Sequence, residues 1–274
     1  MNIFLKTEIK RSICIPIIFL CVLTGLLFQG WNIYTNLGMT FNVEKGADEE
    51  GLSDSDINAA KEIASEYHNS YIIWTSALRG YEIIIVLLAC IPYASSYVID
   101  KKTGFMNNIL LRTSSKKYIL SKSIINALVG GIVVTLPSTI ILFGSMLFFS
   151  NGIPTLDIYT PFGPFSEYFL SKPLYYTLFF TMILFLIGLT YSTFSMAVGM
   201  ITEKIIPCLL IPLIYWFTGS LLCESLGLSS LAPWNIYYFN VEPTISLWNA
   251  LIHILILFIV SISIICFKMT KEKI

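Results

Sequence analysis

Six stretches of this chain contain no Asp, Glu, Lys or Arg: 13–43, 83–99, 123–156, 173–202, 205–223 and 243–267. Each reaches or approaches the roughly 20 apolar residues that cross a bilayer as a helix. A charge at a helix centre costs about 2.5–3.5 kcal/mol on insertion scales, so six gaps of this kind in one chain define a solvent rather than a coincidence. Only 12% of the 274 residues are charged and 55% are hydrophobic, where a soluble domain carries about 25% charge. The pattern predicts an all-α integral membrane protein with six transmembrane helices in a single transmembrane domain, 1–274.

Orientation follows from where the charges are put. With both termini inside (N-in, C-in), thirteen of the 17 basic residues and only four of the 17 acids fall on the cytoplasmic side. Net charge is zero, yet the asymmetry is steep, and it is counted over short loops, where the positive-inside rule applies. This predicts a multi-pass membrane protein; Arg only at 11, 79 and 112 beside abundant Lys and Ile points to an AT-rich bacterial genome, and so to the bacterial cytoplasmic membrane.

In chain order, MNIFLKTEIKRS reads as an N-terminal interfacial helix, with Met1, Leu5 and Ile9 on one face. The first span is expected over Ile13–Trp31. Residues 32–80 form an extracellular acidic loop between spans 1 and 2, carrying Glu44, Asp48, Glu49, Glu50, Asp54, Asp56, Glu62 and Glu66. Gly46–Ser53 reads as loop, and Ser53 or Asp54 as the cap of a helix running to Tyr67. Such a loop is either a solvated lid or a vestibule that attracts a cationic peptide. The second span is expected over Tyr81–Val98 and the third over Ile124–Phe149, where Gly130-Gly131 allows close packing. The fourth and fifth, Tyr175–Ile201 and Ile205–Leu222, are joined by three residues and must be antiparallel neighbours. Residues 223–245 are sparsely charged and aromatic, which predicts an outer re-entrant segment before a sixth span over Ser246–Phe267. The intramembrane His253 and Asn126 are expected to pack or to hydrogen-bond between helices.

The stretch YVIDKKTGFMNNILLRTSSKKYILSK, 97–122, lies between spans 2 and 3 with one acid, Asp100, against six basic residues. Within it Phe105, Met106, Ile109 and Leu110 recur at helical spacing. A short amphipathic helix is predicted, opened by Gly104 and followed by the Thr113-Ser114-Ser115 turn, with Ser114 or Ser115 capping the next helix. Its apolar face needs lipid, its own bundle or a partner protein to lie on.

Motifs for chemistry are absent. The chain has no GxxxxGK[ST] phosphate loop, no HExxH, and six cysteines without a CxxC. No cofactor, metal site or nucleic-acid partner is implied, and converging ionisable residues within the spans are not expected, so an enzyme is not the expected class.

Four segments together resemble a known family. FLKTEIKRS before the first span is similar to an amphipathic connecting helix, and GFMNNILLRTSSKKYILSK to a coupling segment. MAVGMITEKIIPCLLIPLIYW resembles the junction of the fourth and fifth spans, and LSSLAPWNIYYF an outer re-entrant segment. The family is the ABC-2 class of ABC transporter permease subunits, which includes bacteriocin-immunity and drug exporters of Gram-positive bacteria. The chain departs from it in having Asp100 where Glu is common, and in its long 32–80 loop. The resemblance implies a permease subunit of an ATP-driven exporter, working as a dimer with a second permease copy or paralogue. It implies a separate ATP-binding cassette subunit contacted through the 101–122 loop by Gly104, Phe105, Met106, Ile109, Leu110, Leu111 and Arg112. A stand-alone membrane immunity or sensor protein and a secondary transporter are the competing classes; the latter usually shows broken helices and buried charges.

Orientation has a direct test. In a background lacking the native cysteines, Asp54→Cys and Ser115→Cys should react with an impermeant maleimide from opposite sides of the membrane in intact cells. Labelling of both from outside overturns the N-in, C-in assignment.

Overall fold

A computed structural model describes residues 16–49, 58, 68–154, 161, 165–237 and 246–271, with the side chains of the first helix described through 37. Among these residues the protein is all-α, with no strand beyond one isolated bridge between Asn69 and Ser150. The helices are α1 (Pro16–Glu49), α2 (Ser70–Ala77), α3 (Glu82–Cys90), α4 (Ser96–Lys102), α5 (Phe105–Leu110), α6 (Ser115–Phe148), α7 (Ser166–Ser171), α8 (Pro173–Thr202), α9 (Ile205–Ser225) and α10 (Leu247–Lys271). Two short 3₁₀ turns, Ser229–Leu231 and Pro233–Tyr237, stand between α9 and α10. The predicted interfacial helix at 1–12 and most of the helix after Asp54 lie outside the described residues.

Among the described residues five helices are long and apolar enough to cross a membrane: α1, α6, α8, α9 and α10. A sixth crossing exists only if α2 and α3, bent by 71° at their junction, count as one broken span. The chain is therefore a multi-pass membrane protein, with five or six candidate crossings among the described residues.

The bent pair α2–α3 begins earlier than the expected second span, and the contacts show how. Ser70 N–H donates to the Ser150 carbonyl (2.8 Å), the Trp74 indole to the Ser138 carbonyl (3.0 Å) and the Tyr81 hydroxyl to the Val134 carbonyl (2.8 Å). Further along, Tyr118 reaches Asp100. Residues 70–102 thus descend antiparallel along the whole of α6. Residues 70–77, assigned above to an outer loop, are inside the bundle: Tyr71, Ile72, Ile73, Trp74 and Ala77 are all buried. Arg79 and Glu82 interrupt the apolar pattern, and Gly80, at φ 70°, permits the bend. A charge-based boundary stops at Arg79, whereas packing against α6 continues through it.

Two other helices outrun their expected limits. Helix α1 continues to Glu49 rather than ending at Trp31, so Gly46–Glu49 is helix, not loop. No proline and no glycine pair interrupts residues 31–45, and the end of the apolar run does not end a helix. Helix α6 starts at Ser115, nine residues before the expected Ile124, and spans about 51 Å over its 34 residues. Ser114 occupies its cap position, but its side chain makes no capping bond.

The packing of the long helices follows the small residues. Where α6 crosses α8, Asn126 donates to the Ser192 carbonyl (2.8 Å) and the Ser192 hydroxyl to the Asn126 carbonyl (2.9 Å). The expected interhelical role of Asn126 is met by this reciprocal pair. One turn on, a Cβ on Gly130 would lie 2.9 Å from the Gly188 carbonyl, and one on Gly188 would lie 2.7 Å from the Gly130 carbonyl. The backbones touch, which is what small residues accomplish where no hydrophobic effect drives helices together. Helices α8 and α9 are the expected antiparallel neighbours: the Ser195 hydroxyl donates to the Cys208 carbonyl (2.6 Å) and the Cys208 thiol to the Ser195 carbonyl (3.2 Å). After α9 the chain folds back, so that Trp234 stands edge-on to Trp216 and Phe217 and donates to Glu224 (2.9 Å). His253 packs on α10 against Tyr215, 3.2 Å from its hydroxyl.

Gly130→Ala should therefore destabilise the protein by about 1–3 kcal/mol through overpacking. Gly144→Ala, whose Cβ would meet nothing within 4 Å, should be neutral or slightly stabilising. Thermal unfolding of the two variants in detergent separates the cases.

Candidate functional site

The basic stretch between α4 and α6 is built into the end of the bundle rather than hung from it. Helix α4 ends at Lys102, and Gly104 turns the chain in a left-handed conformation (φ 72°, ψ 1°) that glycine adopts without strain. The short amphipathic helix predicted there is present as α5, Phe105–Leu110.

Its apolar face is occupied by the chain itself. Met106 is buried, and Ile109 and Leu110 pack against the same group of side chains. That group is a second hydrophobic cluster, distinct from the main core. It contains Ala94, Tyr97 and Val98, Tyr118 and Ile119 of α6, Met196, Ala197 and Met200 of α8, Cys208 of α9 and Ile265 of α10. Five elements besides α5 meet at this one knot. Of the residues expected to contact an ATP-binding subunit, Met106, Ile109 and Leu110 are turned inward, while Leu111 (86% exposed), Arg112 and Phe105 (42%) face outward. Gly104 shapes the turn. Helical spacing identifies an apolar face but not what covers it, and here the nearest apolar surface is the bundle's own end.

Beneath α5 lies an ion pair that the sequence reading placed in water. Asp100 and Lys122 are both 0% exposed and pair directly, the Lys122 ammonium donating to an Asp100 carboxylate oxygen. The Tyr118 hydroxyl donates to the same oxygen at 2.8 Å. The ammonium also stands over the rings of Tyr118 (5.4 Å) and Tyr93 (5.6 Å). Burial of two ions is tolerable only with geometry and further bonds of this kind. The expectation that no ionisable residues converge within the bundle is corrected by this pair. The signal that could have found it is local. Tyr118 and Lys122 are four apart on one helix, so a single acid packed against that face meets both.

A second, exposed charge group sits beside the first. Glu203 ends α8 in a left-handed conformation (φ 54°) and its N–H returns to the Gly199 carbonyl at 2.9 Å. Its carboxylate lies 2.6 Å from the Lys101 ammonium and 3.9 Å from that of Lys268. The hydrogen bond from Lys101, aided by the charges of Lys101 and Lys268, holds the Glu203 carboxyl below the ordinary carboxylate range. Glu203 thereby links the end of α4, the α8–α9 turn and the end of α10.

Among the described residues no group of three His, Cys, Asp or Glu side chains is placed to hold a metal. Comparison with family models, with curated proteins and with solved structures finds no match for this chain.

The buried pair yields a quantitative expectation. Lys122→Met leaves Asp100 buried without its counter-ion and should cost about 3–5 kcal/mol. Combining it with Asp100→Asn, which keeps an acceptor for Tyr118, should recover most of that loss. A double-mutant cycle on unfolding in detergent reads the coupling; additive losses would mean that the two charges do not stabilise each other.

Proposed function

We propose that this chain is the membrane-spanning permease subunit of an ATP-driven exporter, acting with a separate ATP-binding cassette subunit. The observation that supports this most is the mechanical arrangement of α5. A helix of six residues at the basic end of the bundle shares one apolar cluster with α6, α8, α9 and α10 and rests above an ion pair linking α4 to α6. A load on its outer face would be felt by most of the spans at once. Cores of this density have discrete packings rather than continuous give, so such a load would shift helices as bodies.

In this reading the basic end is cytoplasmic, and α5 is the coupling helix. The contact with the ATPase is made by Phe105, Leu111 and Arg112, with Gly104 setting the angle and Met106, Ile109 and Leu110 anchoring the helix inward. The path is formed with a second permease copy or paralogue. The fold-back around Trp234 is the outer re-entrant segment, and the acidic residues of 32–80 favour a cationic peptide as substrate. The missing phosphate loop is then supplied by the partner.

One observation favours a second reading. A broken crossing and a buried charge pair are features of secondary transporters, whose sites lie near the bilayer midplane. Lys122, however, is seven residues into the 34-residue α6, about 10 Å from its end. That position suits a structural lock under a surface helix better than a central substrate site.

The test is co-purification. Phe105→Asp with Leu111→Asp places unpaired charges in the proposed contact, where desolvation costs several kcal/mol. The variant should fold, since both side chains reach solvent or headgroups, yet lose the ATP-binding subunit encoded with it or uncouple its hydrolysis from export. Asn107→Ala with Asn108→Ala serves as the matched exposed control and should retain both. Full activity of the double Asp variant, or transport without any ATP-binding subunit, sinks the proposal.

A further inference from the structure

At the opposite end of the bundle from α5, the short helix α7 and the first turns of α8 line an open cavity of about 260 Å³ at the surface. It is lined by Phe165, Tyr168, Lys172, Tyr175, Tyr176 and Phe179. We infer that this cavity is a binding site for one anionic phospholipid, with the Lys172 ammonium on the phosphate and the aromatic rings around the upper acyl chain. The inference is independent of the coupling reading of α5.

Depth comes first. Lys172 immediately precedes the membrane-crossing helix Pro173–Thr202, so the cavity lies where a span meets the headgroup layer, the level at which Tyr and Trp collect. An ordinary aromatic belt presents separate rings to lipid, but these rings are organised around a space. Phe165 stands edge-on to Phe179 at 5.0 Å and beside Tyr168 at 5.9 Å. To place that ring the backbone of Phe165 takes φ 68°, a left-handed conformation that an aromatic residue rarely adopts. Below them Tyr176 is buried against Phe169, and its hydroxyl has no hydrogen-bond partner among the described residues.

The charge selects the ligand class. The walls are five aromatic side chains and one lysine, whose ammonium lies 5.8 Å from the Tyr175 ring centre and is exposed at the mouth. The nearest acid in sequence, Glu167, is not part of the lining. An aromatic cage alone would favour a quaternary ammonium group. A lysine at the mouth opposes that cation and instead makes a charge-assisted bond to phosphate. Apolar walls exclude a free inorganic anion, which leaves a molecule with both a phosphate and a chain. Basic pockets between membrane helices recognise anionic lipid headgroups by this combination.

The test uses the full chain in phosphatidylcholine vesicles containing a trace of photoactivatable lipid, with the attachment site mapped by mass spectrometry. A phosphatidylglycerol with a diazirine in the upper acyl chain should label Phe165–Phe179 about tenfold more than the matching phosphatidylcholine. Lys172→Gln, a substitution of an exposed side chain, should reduce the phosphatidylglycerol label to the phosphatidylcholine level, and Lys172→Arg should restore it. Equal labelling by the two lipids, or labelling indifferent to Lys172→Gln, shows a non-selective aromatic belt and overturns the inference. So does absence of label in this segment. Displacement of the label by millimolar inorganic phosphate shows a soluble-anion site and overturns the lipid assignment.

Discussion

The ion pair of Asp100 and Lys122 fixes the geometry at one end of this protein. Two fully buried charges can face each other only if the helices that carry them are held at one register, because a shift by one residue strands both ions. Asp100 is near the end of α4 and Lys122 is inside α6, so the pair sets where the descending residues 70–102 stop along α6. Tyr118 and Tyr93 complete the enclosure, and their rings seal the pair from lipid and water. Everything beyond it, from the Gly104 turn to α5, is placed by that stop.

A different constraint governs the middle of the bundle. Without water there is no hydrophobic force between helices, so association depends on close contact and on interhelical bonds. Gly130 and Gly188 bring two backbones together, and Asn126 with Ser192 ties them one turn away. At the basic end, by contrast, the second apolar cluster gathers side chains from six helices into one knot capped by the Lys101–Glu203–Lys268 group. The rigid crossing of α6 and α8 and this knot are joined by those same two helices. A force on α5 therefore has a packed route into the centre of the molecule, which is the physical content of the coupling proposal.

Much of this was legible in the linear pattern. The absence of charge over six stretches predicted the crossings because an ion in hydrocarbon has no cheap alternative. The three-residue connection at 202–204 required α8 and α9 to be neighbours, and they are. The short helix after Gly104 was visible in its spacing. What failed were inferences that treated a charge as a boundary: Arg79 did not end the segment packed along α6, and Lys122 did not stay in the loop.

The sequence by itself determined that the chain is helical and membrane-crossing, since those follow from the solvation of each residue taken alone. It determined also that an amphipathic helix follows Gly104. Which surface covers that helix was decided only in three dimensions, because Met106, Ile109 and Leu110 face whichever apolar surface lies nearest. The same holds for Asp100 and Lys122, whose burial depends on Tyr93, in the turn between α3 and α4, meeting Tyr118 of α6. A charge is excluded from hydrocarbon when it is alone, but not when a partner, a hydroxyl and two rings replace its water. Whether they do is a property of packing, and no count along the chain contains it.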